Sequence, residues 1–271
     1  MPEAAGVVVV AVDGHRAAIR ADDTAFSRAD AVFETALVRG GVVCLLTEHL
    51  DRLARSAAVV GLVAPTAAQW RAAVGVALGR WFADGEAVLR LVLGRDSVAF
   101  VTVSAVPSGV AAVRRAGVSA VTVTRPSVPL ATAKSLSYAV NSAALRHAQR
   151  AGGDDAIFVD PDGAVLEGPR SAVLIATVDS DAKPVLLSPD STQILPSTTL
   201  GAVFATASAR GVECRYVRLD VADLIAAQGV WLLSSMTLAA RVHTLDGVAL
   251  APTPWDPMLT ALIDDAVSGG I

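Results

Sequence analysis

Valine-rich runs alternate with alanine-rich runs along the whole chain, and this alternation leaves few folds open. β-Branched residues suit a pleated sheet, whereas alanine loses no side-chain entropy in a helix. The spacing predicts strands over residues 7–12, 31–38, 42–46, 87–93 and 98–103, with two helices between the third and the fourth. Thr47 reads as the cap of a helix over 48–60 that Gly61 stops. Thr66 reads as the cap of the next, whose Trp70, Val74, Leu78 and Trp81 recur at the helical period. A second series predicts strands over 118–123, 156–159, 165–167, 172–177, 213–217, 230–233 and 240–244, with helices over 138–150, 198–210 and 258–267. This is the pattern of an α/β or α+β enzyme. Pro107-Ser108-Gly109 marks the best break, giving an N-terminal α/β domain over 1–106, a linker over 107–115 and a C-terminal domain over 116–271.

Bulk properties narrow the function. With 53% hydrophobic and 18% charged residues, a chain of 271 residues has material for a sizeable core and not the composition of a disordered one. A net charge of −4 without charge runs gives nucleic acid or an anionic membrane nothing to hold. No stretch approaches the roughly 18 apolar residues of a membrane span. The run over 7–12 is too short for a signal peptide and meets Asp13-Gly14 at once, so a cytoplasmic protein is expected. Cys44 and Cys214 lack metal-ligand spacing and read as buried thiols, and no metal site is expected.

Twenty of the 22 basic residues are arginine, and the two lysines are Lys134 and Lys183. Where arginine serves as the general surface cation, lysine is expected to persist where its chemistry differs. An ε-amine can lose its proton and attack a carbonyl; a guanidinium cannot. Lys183 lies in the turn-like run Asp179-Ser180-Asp181-Ala182-Lys183-Pro184. Lys134 opens a segment of helical spacing and fits either a reactive amine or a lysine snorkelling at a helix start.

Three further features suit a phosphorylated aldehyde cofactor. Glu167, followed by Gly168 at the predicted end of a strand, could hold a pyridinium nitrogen or be an ordinary turn carboxylate. Leu195-Pro196-Ser197-Thr198-Thr199 opens a helix, where free amides and two hydroxyls meet a positive dipole end; a plain N-cap explains the segment equally well. Arg52 shares a helix face with His49 and Ser56, which could be a phosphate contact or a surface stripe beside Asp51.

The order of these motifs resembles the fold-type IV pyridoxal-phosphate enzymes, the class IV aminotransferase family, over nearly the whole chain. The resemblance is carried by the stretches 28–35, 49–53, 134–138, 165–171, 194–199 and 242–247. It implies a small N-terminal α/β domain and a larger C-terminal domain with a mixed, barrel-like sheet and flanking helices. Pyridoxal 5'-phosphate would lie in the cleft between them, usually in a homodimer. By the same resemblance Lys134 would be the Schiff-base amine and Glu167 the partner of the pyridine nitrogen. Arg52, Thr198, Thr199 and Ser235 would hold the phosphate, and Tyr138 would lie near the phenolic oxygen. Alanine stands at 29 and 31, where the family motif has glycine, and Ser197 and Ala172 also depart from it. The turn after Gly94-Arg95-Asp96 is short.

Within the family, the stretches 230–247 and 167–171 are most similar to aminodeoxychorismate lyase, which makes 4-aminobenzoate and pyruvate in folate-precursor synthesis. A D-amino acid or branched-chain aminotransferase is the alternative, and a catalytically silent cofactor-binding protein a further one. The lyase substrate carries two carboxylates, so arginines are expected in its pocket: Arg90, Arg95, Arg170 or Arg28, with Met236 and Thr237 nearby. Odd spacing puts Arg90 and Arg95 on opposite faces of a straight strand. His147 and His243 read as core or surface residues.

Overall fold

Two adjacent glycines fix the layout of the first sheet. Gly40 and Gly41 take φ of 58° and 78°, left-handed values that a two-residue hairpin turn requires and that cost glycine least. They fold β3 (Val42–Val43) back on β2 (Ala31–Arg39), pairing Val38 with Val43 and Arg39 with Val42. The computed structural model describes residues 7–12, 23–95 and 98–268. The chain forms two compact units, Met1–Pro107 with Thr132–Ser137, and Ser108–Ala131 with Tyr138–Ile271.

The first unit adds β1 (Val8–Ala11), α1 (Thr24–Ser27), α2 (Leu46–Val59), α3 (Ala67–Gly79), β4 (Ala87–Gly94) and β5 (Ala99–Ala105). Its antiparallel sheet runs β1-β5-β4-β2-β3. The even-numbered side chains Val32, Ala36 and Val38 of β2 join Leu89, Leu91 and Leu93 of β4 in one core, with Leu50, Leu53 and Ala57 of α2 and Trp70, Ala73 and Val74 of α3. Each such buried large side chain contributes roughly 1.5–3 kcal/mol. Because β3 is only two residues long, the start of β2 keeps an open edge. The returning segment 132–137 takes it: Phe33 N–H donates to the Lys134 carbonyl at 2.9 Å, Leu136 N–H to the Ala31 carbonyl at 2.8 Å, and Val32 bridges Ser135.

The second unit comprises α4 (Gly109–Ala116), β6 (Val118–Thr124), α5 (Ala139–Arg150), β7 (Asp155–Val159), β8 (Ala172–Val178), β9 (Pro184–Pro189), α6 (Thr198–Ala209), β10 (Glu213–Val217), α7 (Val221–Ala226), β11 (Gly229–Ser234), β12 (Leu238–Leu245), β13 (Val248–Ala249) and α8 (Asp256–Ser268). Its eight-stranded mixed sheet runs β10-β9-β8-β11-β12-β6-β7, with β13 on β12. Among the described residues no helix is long and apolar enough to cross a membrane.

Several expectations change. The strand over 42–46 stops at Val43, and α2 starts at Leu46, with Leu45 in the left-handed region at φ 53°. Thr47 is therefore inside the first turn, where its Oγ accepts from Arg71 at 2.8 Å. The linker over 107–115 holds helix α4, which ends at Gly117; there a Cβ would lie 2.3 Å from the Arg241 carbonyl oxygen. The strand over 165–167 is reduced to isolated bridges, Val159 with Val165 and Ala164 with Asp220, so Glu167 sits on irregular chain. β9 went unread because its prolines, Pro184 and Pro189, lie at its two ends, where a strand tolerates them. The helix expected from Tyr138 starts at Ala139, and Lys134 lies on extended chain before it. Cys44 is buried, whereas Cys214 is half-buried. The turn at Asp13-Gly14 lies outside the described residues, as does part of the turn that includes Asp96.

Candidate active site

In the first unit the chemistry is arranged on both faces of β2. Glu34 points to the core side and is fully buried. An isolated carboxylate there would be too costly to ionise, so it needs counter-ions. Helix α2 supplies them. Arg52 gives a two-pronged contact, Nε to Oε1 at 2.6 Å and Nη2 to Oε2 at 2.8 Å, and His49 Nδ1 lies 2.7 Å from Oε2. Burial alone would raise the Glu34 pKa; the Arg52 and His49 contacts outweigh it and hold the carboxyl at about 2. An ionised carboxylate only accepts, so His49 Nδ1 carries the hydrogen. Arg52, a candidate surface residue from the sequence, is buried, with its fork fixed in direction.

On the other face, Phe33 and Arg90 meet. The pairing of Phe33 with Val92 and of Thr35 with Arg90 puts them diagonally across β2 and β4, and the guanidinium carbon lies 4.2 Å from the ring centroid. Lys134 Nζ lies 4.8 Å from the same centroid. The Lys134 backbone is pinned on both sides, its carbonyl by Phe33 N–H and its own N–H by Ser56 Oγ at 3.1 Å. Arg95 is engaged elsewhere: it pairs with Asp30 at 2.6 Å, holding that carboxyl below its usual range, and reaches the Val60 carbonyl. Arg28 is exposed.

The second unit reverses the signs. Glu167 is the acceptor, taking Arg125 Nη1 on Oε1 at 3.0 Å and the Leu195 N–H on Oε2 at 3.3 Å. Arg125 is buried, stacks 4.7 Å from the Phe158 centroid and donates through Nη2 to the Gln193 carbonyl. Leu195 leads directly into α6. Ser197 caps that helix, its Oγ accepting from Leu200 N–H at 3.2 Å, and its φ of −84° explains why glycine is not required there. Thr198 and Thr199 open the helix and are both buried. A cavity of about 260 Å³ is lined by Glu167, Leu195, Pro196 and Ser197, with Ala172 and Tyr216 among its walls.

Residues 234–237 form a second polar turn. Ser234 Oγ accepts from Thr237 N–H at 3.0 Å and contacts Thr237 Oγ at 2.7 Å, while Arg114 grips the Met236 carbonyl through Nε and Nη2. Ser235 and Met236 are half-buried in this turn. Tyr138 is the N-cap residue just before α5. Arg170 is exposed, His147 is exposed, and His243 contacts Thr244 Oγ at 3.0 Å.

Within the first unit the structure thus gathers Lys134, Arg90 and Phe33, and separately Arg52, His49 and Glu34. Within the second it gathers Glu167, Arg125 and the α6 start. Sequence reasoning missed Glu34 and Arg125. Glu34 was findable, as the lone carboxylate in a mostly apolar strand. Arg125 gave no signal, being 42 residues from its partner.

The family model for amino-transferase class IV matches residues 31–245. The chain is 49% identical to a bifunctional aminodeoxychorismate lyase / D-amino acid transaminase of Mycobacterium tuberculosis, over 92% of this chain and 93% of that protein. It is also similar to solved structures of a hypothetical aminotransferase from the same organism. The PLP-bound form shares 48% identity at a TM-score of 0.91, covering 97% of this chain and 99% of that one. The form with α-ketoglutarate and PMP shares 47% at 0.91, with the same coverage.

Proposed function

This chain belongs to the class IV aminotransferase family, and from that premise we propose that it is a pyridoxal-phosphate enzyme that cleaves 4-amino-4-deoxychorismate to 4-aminobenzoate and pyruvate. The observation that carries this reading is the 49% identity, across 92% of the chain, to a bifunctional aminodeoxychorismate lyase and D-amino acid transaminase. The donor chemistry fits the cofactor: an amine, a buried guanidinium, an ionic carboxylate and a helix N-terminus with two hydroxyls are all present. When bound, the cofactor supplies an aldehyde for the amine and a ring that spreads the electron pair left by a departing proton.

The chain's own groups do the rest. Arg52, Thr198, Thr199 and Ser235 would hold the phosphate. Fixed by Glu34, the Arg52 fork need not reorganise to meet it. Glu167 would hold the ring nitrogen, and Tyr138 the phenolic oxygen. Arg125 and the Leu195 amide restrain the Glu167 carboxylate. Lys134 Nζ would take the proton from the carbon bearing the substrate amine and hand it to the departing three-carbon fragment. Arg90, held over Phe33, is the side chain best placed to receive a substrate carboxylate beside that amine, whereas Arg95 is committed to Asp30.

A second reading, D-amino acid transamination, is favoured by the second activity in the name of the 49% identical relative and, for transamination in general, by the relative solved with α-ketoglutarate and PMP. Both reactions start with the same proton transfer to Lys134 Nζ, so one protein can perform both. Incubation of the purified protein with enzymatically made aminodeoxychorismate should yield 4-aminobenzoate. Incubation with D-alanine and α-ketoglutarate should yield glutamate if the second activity is present. Pyruvate without 4-aminobenzoate from the first substrate would refute the lyase reading. We also place the protein in the cytoplasm as a homodimer, which sedimentation at twice the chain mass checks.

A further inference from the structure

Helix α2 carries a buried hydroxyl that the proposed chemistry does not use. Ser56 is fully buried, one turn beyond Arg52, in a stretch where its neighbours at 54, 57 and 58 are alanine. Serine is a poorer helix former than alanine and needs a partner when buried. Its oxygen accepts the backbone N–H of Lys134 at 3.1 Å. Residues four apart on a helix face the same way, so Arg52 and Ser56 are held at a set separation by the intervening turn.

Resting on the function proposed above, we infer that Ser56 is a positioning residue for Lys134. The lysine backbone is clamped between two rigid elements, Ser56 on α2 and Phe33 on β2, and the first of these also carries Arg52. Helix α2 therefore acts as a ruler between the phosphate-holding cation and the amine that moves the proton. Hydrogen bonds of the segment to β2 alone, from Phe33 N–H and to Ala31 O, fix its register along the strand. The Ser56 contact adds the anchor that ties Lys134 to the helix bearing Arg52.

The test uses the wild type, Ser56→Ala and Ser56→Cys, each as holoenzyme and without cofactor. Cysteine keeps the approximate size of serine but accepts hydrogen bonds weakly. Both variants should lose roughly ten- to a hundredfold in kcat, the scale of a misplacement of about 1 Å, while cofactor affinity changes by less than about threefold because Arg52 is intact. In the cofactor-free protein, amide exchange at Lys134 should accelerate while the Phe33 amide keeps its protection. That measurement does not depend on turnover. Wild-type kcat in Ser56→Ala, or recovery of wild-type kcat in Ser56→Cys, would overturn the positioning role while leaving the cofactor reading standing. Cofactor affinity falling in step with kcat would overturn it too, since the defect would then lie in the fold of α2. A wild-type protein that takes up no cofactor would overturn both.

Discussion

The two units handle charge in opposite ways. In the first, a cation is presented and an anion supports it: Glu34 is fully buried, while the Arg52 side chain keeps 8% exposure. In the second, an anion is presented and a cation supports it: Arg125 keeps 7% exposure and Glu167 keeps 16%. In each pair the more deeply buried member is the support and the outer one is the group assigned to the cofactor. The physical reason is the same. A charge aimed at a ligand must be kept ionised and oriented before the ligand arrives, and a buried counter-ion does both without competing for the ligand. The pairs differ in what else shares the load. Glu34 spends both oxygens on helix α2, whereas Glu167 takes one bond from Arg125 and one from the backbone at Leu195.

The largest expected effect separates chemistry from binding. Lys134→Ala should lower turnover by about a thousandfold or more, the scale of a removed proton-transfer group, yet still bind cofactor through the second unit's donors. Rapid-quench assays with equilibrium binding measure both; wild-type turnover would remove Lys134 from the chemistry.

Glu34→Gln breaks the first pair at its support. It leaves Arg52 buried without a full counter-charge and should cost about 3–5 kcal/mol of stability in urea titrations. The same residue gives a pH signature. Its folded pKa of about 2 lies below the usual 4.5, so its contribution is present above pH 4.5 and is lost as the pH falls towards 2. That acid-dependent loss, about 3 kcal/mol, should be missing from Glu34→Gln. An unchanged acid-unfolding curve would show that Glu34 is not the titrating support.

Arg125→Met breaks the second pair. Because Leu195 still donates to Glu167, the loss should be smaller, about 1.5–3 kcal/mol of stability in the same urea titrations. A loss larger than that of Glu34→Gln would reverse the ranking of the two supports.

The smallest expected change concerns the entry to β2. Ala29 takes φ 55°, a left-handed conformation that costs alanine roughly 1 kcal/mol. Ala29→Gly should raise stability by up to about that amount, offset in part by the added freedom of the unfolded chain, with turnover unchanged. A lower melting temperature would show that the alanine methyl is packed rather than strained.

Local signals made much of the fold legible. The α2 and α3 stripes, the Thr66 capping box and the strand over 213–217 follow from periodicity and capping, which depend on residues close in sequence. The motif order located Lys134, Glu167 and the α6 start. The helix at 109–116 and the bridge of Ala164 with Asp220 were not legible, because a close approach to Arg241 and an isolated bridge are set by contacts far along the chain, whereas the two-residue β3 follows a local Gly40-Gly41 turn.

By itself the sequence determined the class of fold and the family, since these rest on residue type, spacing and order; Lys134 as the reactive amine is our proposal from the same motif order. Only the tertiary structure decided that segment 132–137 fills the open edge of β2, that Ser56 holds the Lys134 backbone and that Arg125 stands behind Glu167. It also decided that Arg52 is a buried, paired cation and that Arg95 is committed to Asp30. The reason is that each of these is a pairing of charge or hydrogen bond between residues 18 (Glu34 and Arg52) to 105 (Ala31 and Leu136) positions apart. Such partners are chosen by which strand edge and which helix face the fold brings together, and no local propensity encodes that choice.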